Sequence, residues 1–140
     1  MKLPNRLLQI IAGAVVLIGT GIYVANGPES LASENIKIPK LSPVAGWGKV
    51  AYDKSCASCH GENGTGTKTG PPLIHNIYNP GHHDDGSFFR AAKNGVPQHH
   101  WPFGNMPPRP ELTDGQISAI VKYIRELQQA NGIVYKKHVM

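Results

Sequence analysis

Cys56-Ala57-Ser58-Cys59-His60 follows Ala51-Tyr52-Asp53-Lys54-Ser55 and contains both cysteines of the 140-residue chain. Two thiols three positions apart lie on one helical turn, where each can add to one vinyl group of a single porphyrin. The adjacent His60 then falls beneath the iron. The spacing therefore points to one covalently attached haem. Two other chemistries also use C-x-x-C. A redox dithiol wants a βαβ setting, which is not readable here, and has no use for a histidine directly after the second cysteine. A zinc site has a plausible gap from Cys59 to His75, but His82 lies beyond the usual spacing for the next ligand and His60 goes unexplained. As a disulfide, the pair would close almost no loop and stabilise little.

Upstream of this run, Lys2 and Arg6 precede the stretch from Leu7 to Ala25, in which only Gln9 and Thr20 are clearly polar. Its length is about that of a bilayer span, and it is apolar around its whole circumference, unlike the helices of a small polar domain. Residues 1–25 are therefore expected to form a single membrane-spanning helix or signal segment, with Lys2 and Arg6 holding the start in the cytoplasm while the rest crosses. The run is longer than the usual core of a cleaved signal, which favours retention over cleavage near Ala25-Asn26-Gly27. Residues 26–45 contain three prolines and show no sustained period, so they read as a tether. That leaves residues 46–140 as the folded part. A protein of this size builds only a thin core, so a buried cofactor is expected to act as its staple. Export also disfavours a free dithiol, whereas thioether bonds consume both sulfurs.

Three helices are readable in the folded part. The first is expected from Gly46 to Ser55, with Trp47, Val50 and Ala51 on one face, and it delivers Cys56. The second is expected from Ser87 to Asn94, entered through Asp84, Asp85 or Ser87 and closed by Gly95, with Phe88 and Ala92 facing inward. The third begins at Thr113, where Gln116 completes a capping box, continues through Ile117, Ile120, Val121, Ile124 and Leu127, and ends at Gly132. No stretch alternates as a strand, so the fold class is all-α with long loops rich in glycine and proline.

From Gly48 to Leu127 the chain resembles the class I c-type cytochromes, small mono-haem bacterial proteins. Gly48 and Tyr52 resemble that family's small-then-aromatic pair on the first helix, and Tyr123 its counterpart on the last. Lys68-Thr69-Gly70-Pro71-Pro72-Leu73 resembles the family's Gly-Pro-x-Leu loop. Gly104-Asn105-Met106-Pro107 resembles its distal segment. The resemblance implies a fold of three to four helices around one haem c, attached through Cys56 and Cys59 and ligated by His60 and Met106. It further implies that the Pro71 carbonyl accepts the Nδ1–H of His60 and that Leu73 lies against the haem face. Trp101, beside the methionine segment, is expected to pack in the haem pocket or donate to a propionate, and Phe103 to lie in the core.

In function, the resemblance implies a one-electron carrier on the periplasmic side of the inner membrane that works between redox partner proteins and has no chemical substrate. The alternatives are a haem enzyme or sensor with an exchangeable sixth ligand, and a haem subunit of a larger complex. The chain departs from the family's simplest members in His82-His83 and His99-His100, a dense set of metal-type donors. These read either as solvated or propionate-contacting residues or as an accessory metal site such as copper. His75 and His138 read as surface residues. The formal charge of +5 shrinks beyond Gly46 to ten basic against seven acidic residues. Export excludes nucleic acid, so this mild excess suits an acidic redox partner, with Lys54, Lys68 and Arg109 near the expected haem edge.

Overall fold

Ser42 opens the first helix. Its hydroxyl accepts from the backbone N–H of Ala45, and Pro43 occupies the first turn, where a missing N–H costs nothing. The computed structural model describes residues 36–137, all within one compact unit spanning residues 31–140. The expected membrane segment, the first part of the tether and His138 lie outside the described residues.

Helix α1 runs Pro43–Ser55 and α2 Ala57–His60, with Cys56 between them at φ −124° and ψ −35°. Helix α3 runs Asp85–Asn94, capped by Asp84, whose carboxylate accepts from Ser87 N at 2.6 Å. Helix α4 runs Asp114–Ala130 behind the Thr113–Gln116 capping box. Gly132, at φ 76°, follows its end. Short 3₁₀ turns occupy Glu62–Gly64 and Asn76–Tyr78. No strand forms among the described residues, and the one isolated bridge pairs Val96 with Met106. None of the helices there is long and apolar enough to cross a membrane.

The crossing of α1 over α4 organises the core. A Cβ on Gly48 would stand 1.9 Å from the carbonyl oxygen of Ala119, so only a bare α-carbon permits this approach. Tyr52 and Tyr123 pack beside the crossing with ring centroids 5.4 Å apart and tilted by 58°, a geometry worth about 0.5–1.5 kcal/mol beyond burial. Both rings are fully buried. Their hydroxyls are satisfied, Tyr52 by the Gly61 carbonyl at 2.8 Å and Tyr123 by Asn63 Oδ1 at 2.7 Å.

Two expectations are corrected here. The inner face of α1 is Ala45, Gly48, Tyr52 and Ser55, whereas Trp47 and Val50 are 73% and 71% exposed. Contact at backbone distance selects small residues, and it turns the bulky ones a third of a turn away. The tether also ends earlier than its prolines suggested. Lys37 N donates to Asn131 Oδ1 at 2.8 Å, and Ser42 donates to the Glu126 carboxylate from its N–H at 2.9 Å and its hydroxyl at 2.7 Å. The segment from Ile36 is thereby fastened along α4, and Leu41 packs on the core.

Gly48→Ala gains about 1 kcal/mol of helix propensity but forces a methyl into the Ala119 carbonyl. It should therefore lower the stability of the haem-loaded protein by a net ~1–3 kcal/mol in denaturant unfolding. Gly46→Ala, in the same helix with nothing within 4 Å of its Cβ, should be neutral or stabilising. Equal unfolding midpoints for the two variants would show that the crossing does not set the helix separation.

Candidate functional site

The break at Cys56 lets one turn carry the whole motif. Cys59 N and His60 N both donate to the Cys56 carbonyl, at 3.1 and 2.9 Å, and Gly61 N closes on Ala57 O at 2.9 Å. The following loop folds back beneath this turn. Gly66 N donates to His60 O at 2.6 Å, and the Thr67 hydroxyl donates to Cys59 O at 2.6 Å. Gly70 passes so close that a Cβ there would sit 2.6 Å from the Cys59 carbonyl oxygen. That approach brings the next residue's carbonyl to the histidine: His60 Nδ1 lies 2.9 Å from Pro71 O. A carbonyl only accepts, so the proton is on Nδ1 and the lone pair on Nε2. Burial, opposed by the Pro71 bond and aided by the Arg109 charge, holds His60 below the usual histidine range and keeps the ring neutral.

His60 borders a cavity of about 370 Å³, within the size range of cofactor clefts, and its walls include Leu73, Phe88, Val96, Ile120 and Ile124. Of the seven residues expected at the site, Cys56, His60, Pro71, Leu73, Trp101 and Met106 line this cavity. Cys59 does not line it and is exposed, whereas Cys56 is half-buried, and burial pushes its thiol up to about 11. No disulfide joins the two.

Met106 reaches the wall from a stitched loop. Val96 and Met106 exchange both backbone bonds at 2.9 Å. Gln98 N donates to Asn105 Oδ1 at 2.9 Å, and Gly104 N donates to Gln98 Oε1 at 2.8 Å. Arg109 N then ties the segment to the end of α3 through Ala92 O at 2.7 Å. Phe103 is half-buried on the cavity wall rather than in the core.

Three polar side chains that line the cavity or hold its surrounding loops went unread in the sequence. Arg109, expected at a docking edge, is instead turned inward. It donates to Ser55 O, pairs with Glu111 at 3.4 Å and lines the cavity. Arg125 of α4 donates to Tyr78 O at 2.8 Å, Gln128 Oε1 at 2.6 Å, Asp85 Oδ1 at 2.7 Å and the His83 carbonyl. Its guanidinium also sits 4.7 Å from the Phe88 ring centre. Gln128 is fully buried and donates to Leu73 O at 2.9 Å. Its signal was available: position 128 lies in the helical phase of Val121 and Ile124, where a polar residue is out of place unless it bonds.

The cavity suits a large, mostly apolar group with an acidic edge. Its walls are chiefly hydrocarbon, with the Trp101 indole and the Arg109 guanidinium among the few polar groups that line it. An indole N–H and a guanidinium at the wall of an apolar cavity fit an anionic substituent such as a porphyrin propionate. Comparison with curated proteins gives no significant match. The family model described as Cytochrome c matches residues 46–128, which run from within α1 into α4 and include every residue named at the site. That match covers more than half of the chain, and it coincides with the C-x-x-C-H turn and the cavity it faces. The chain belongs to the cytochrome c family, an assignment that implies covalently bound haem c and a role in electron transfer.

Proposed function

We propose that the protein is a one-electron carrier with a single haem c, bound through Cys56 and Cys59 and ligated by His60 and Met106. In this reading it is held at the periplasmic face of the inner membrane by its N-terminal helix and passes electrons between redox partner proteins without acting on a chemical substrate. One observation carries it: His60, its Nδ1 proton held by Pro71 O at 2.9 Å, shares one apolar cavity with Met106.

The haem, when bound, supplies one-electron iron chemistry. The chain supplies the setting. The Pro71 carbonyl fixes the tautomer and plane of His60 and makes Nε2 a stronger donor. The Val96–Met106 bridge and the Gln98–Asn105 stitch restrain the methionine segment, which reduces the entropy lost in holding a neutral thioether on a metal. Thioether ligation and an apolar wall both disfavour the extra positive charge of oxidised iron and so raise the potential. Trp101 and Arg109, which line the cavity, are the donors suited to the haem's carboxylates. Lys54 and Lys68, both exposed, remain the basic groups suited to an acidic partner.

Protein produced in a cell able to attach haem c should carry one haem that survives acid–acetone extraction, and its intact mass should equal the chain plus one haem. An unmodified mass, or bound zinc, would overturn the reading of the cysteines. The oxidised protein should show the weak near-infrared iron–thioether charge-transfer band. Met106→Ala should abolish that band, lower the potential and open the iron to added ligands. Absence of the band in the unaltered protein would favour a haem enzyme or sensor with an exchangeable ligand. For the anchor, the full-length chain should partition with membranes, whereas a chain beginning at Ile36 should be soluble with the same visible spectrum. Recovery of native protein starting near Pro28 would refute retention.

A further inference from the structure

The segments on either side of α3 each carry a histidine pair, and the fold brings the pairs together. One ring nitrogen from each of His82, His83 and His100 lies within 4.8 Å of the other two. His82 Nε2 and His100 Nε2 are 3.3 Å apart, long for a hydrogen bond between rings but close to the ~3.3 Å edge between two nitrogens on a tetrahedral ion with bonds near 2.0 Å. The ring centres of His83 and His100 are 5.2 Å apart, and those of His82 and His83 are 4.5 Å apart.

The surroundings are those of a metal ligand set. His83 Nδ1 lies 2.8 Å from Ile77 O, which places its proton there and leaves Nε2 as the donor, the outer contact that metal-binding histidines commonly make. Arg125 holds the His83 carbonyl and so fixes its backbone. His99 has the same arrangement, with Nδ1 2.9 Å from Pro97 O and its ring centre 4.2 Å from that of His100. The neighbouring carboxylates are engaged elsewhere. Asp84 caps α3 and pairs with Arg90, and Asp85 pairs with Arg125. An all-imidazole set disfavours calcium and magnesium and suits copper or zinc, with Cu(II) the tightest of the divalent series. His82 and His83 are half-buried and His100 is exposed, so an ion has a route in.

We propose that His82, His83 and His100 form a transition-metal site that prefers Cu(II), at the rim of the cavity that His83 and His100 also line. The site is separate from the iron ligands.

The test uses full-length protein with its haem attached, in detergent, titrated with copper(II) chloride and in parallel with zinc chloride. One Cu(II) per chain should bind, with nitrogen superhyperfine structure in the electron paramagnetic resonance spectrum. The H82A/H83A/H100A variant should lose this copper while keeping the haem spectrum. The His100→Ala variant alone, at an exposed position that contributes nothing to the core, should weaken binding about tenfold or more. His75→Ala should leave binding unchanged. The proposal is overturned if unaltered protein binds no more copper than the triple variant, or if the nitrogen-coordinated signal persists in that variant. Zinc bound stoichiometrically with no copper overturns the preference for Cu(II). A shift of haem potential in His100→Ala with undiminished copper binding would assign these histidines to the propionates instead.

Discussion

The contact between the α-carbon of Gly48 and the backbone of Ala119 sets the geometry on which the remaining structure hangs. Because α1 meets α4 at backbone distance, the turn that follows α1 is held where Cys56 and His60 line the cavity. Tyr52 and Tyr123 fill the space beside the crossing. Each carries the constraint onward: the Tyr52 hydroxyl holds the residue after His60, and the Tyr123 hydroxyl holds Asn63, which sits in the left-handed region at φ 53°. Asparagine tolerates that region better than most residues, and the bond to Tyr123 secures it there. The loop that lies beneath the motif is thus suspended from both helices.

The loop's path determines the chemistry of the histidine. Gly70 runs against the Cys59 carbonyl, and the carbonyl of Pro71 is thereby left pointing at Nδ1. A hydrogen bond of this kind is modest in stability terms, about 1 kcal/mol net. Its larger effect is orientation. It selects one tautomer, fixes the ring plane and leaves one nitrogen lone pair toward the cavity. The same device recurs at His83 and His99, where backbone carbonyls of Ile77 and Pro97 select the tautomer. Three histidines in different segments of the chain are therefore prepared to donate through Nε2 by the same carbonyl contact.

Arg125 and Arg109 join what the helices alone would leave apart. Arg125 reaches from α4 to Tyr78 O, His83 O and Asp85, so a single side chain satisfies two loop carbonyls and the start of α3. Arg109 ties the segment after Met106 to the last turn of α1. Long loops carry many backbone acceptors that no ladder satisfies, and guanidinium groups answer several at once.

The sequence by itself determined the elements whose causes are local. The C-x-x-C-H turn, the Thr113–Gln116 box and the 3.6-residue period from Ile117 to Leu127 each depend on residues within one or two turns of each other, and each stands where its local signal placed it, while the start of α3, read as Asp84, Asp85 or Ser87, resolves to Asp84. Resemblance added the pairing of Gly48 with the last helix and the Pro71 contact. Periodicity could not decide which face of α1 is buried, because Trp47 and Val50 make as good a helical stripe as Ala45, Gly48 and Tyr52 until the separation from α4 is known. The tertiary structure decided that Arg109 turns inward, since the Ser55 carbonyl lies 54 positions away. It also decided that the two histidine pairs converge, because α3 lies between them in the chain and only the path of the loop after Asn94 brings His100 back to His82 and His83.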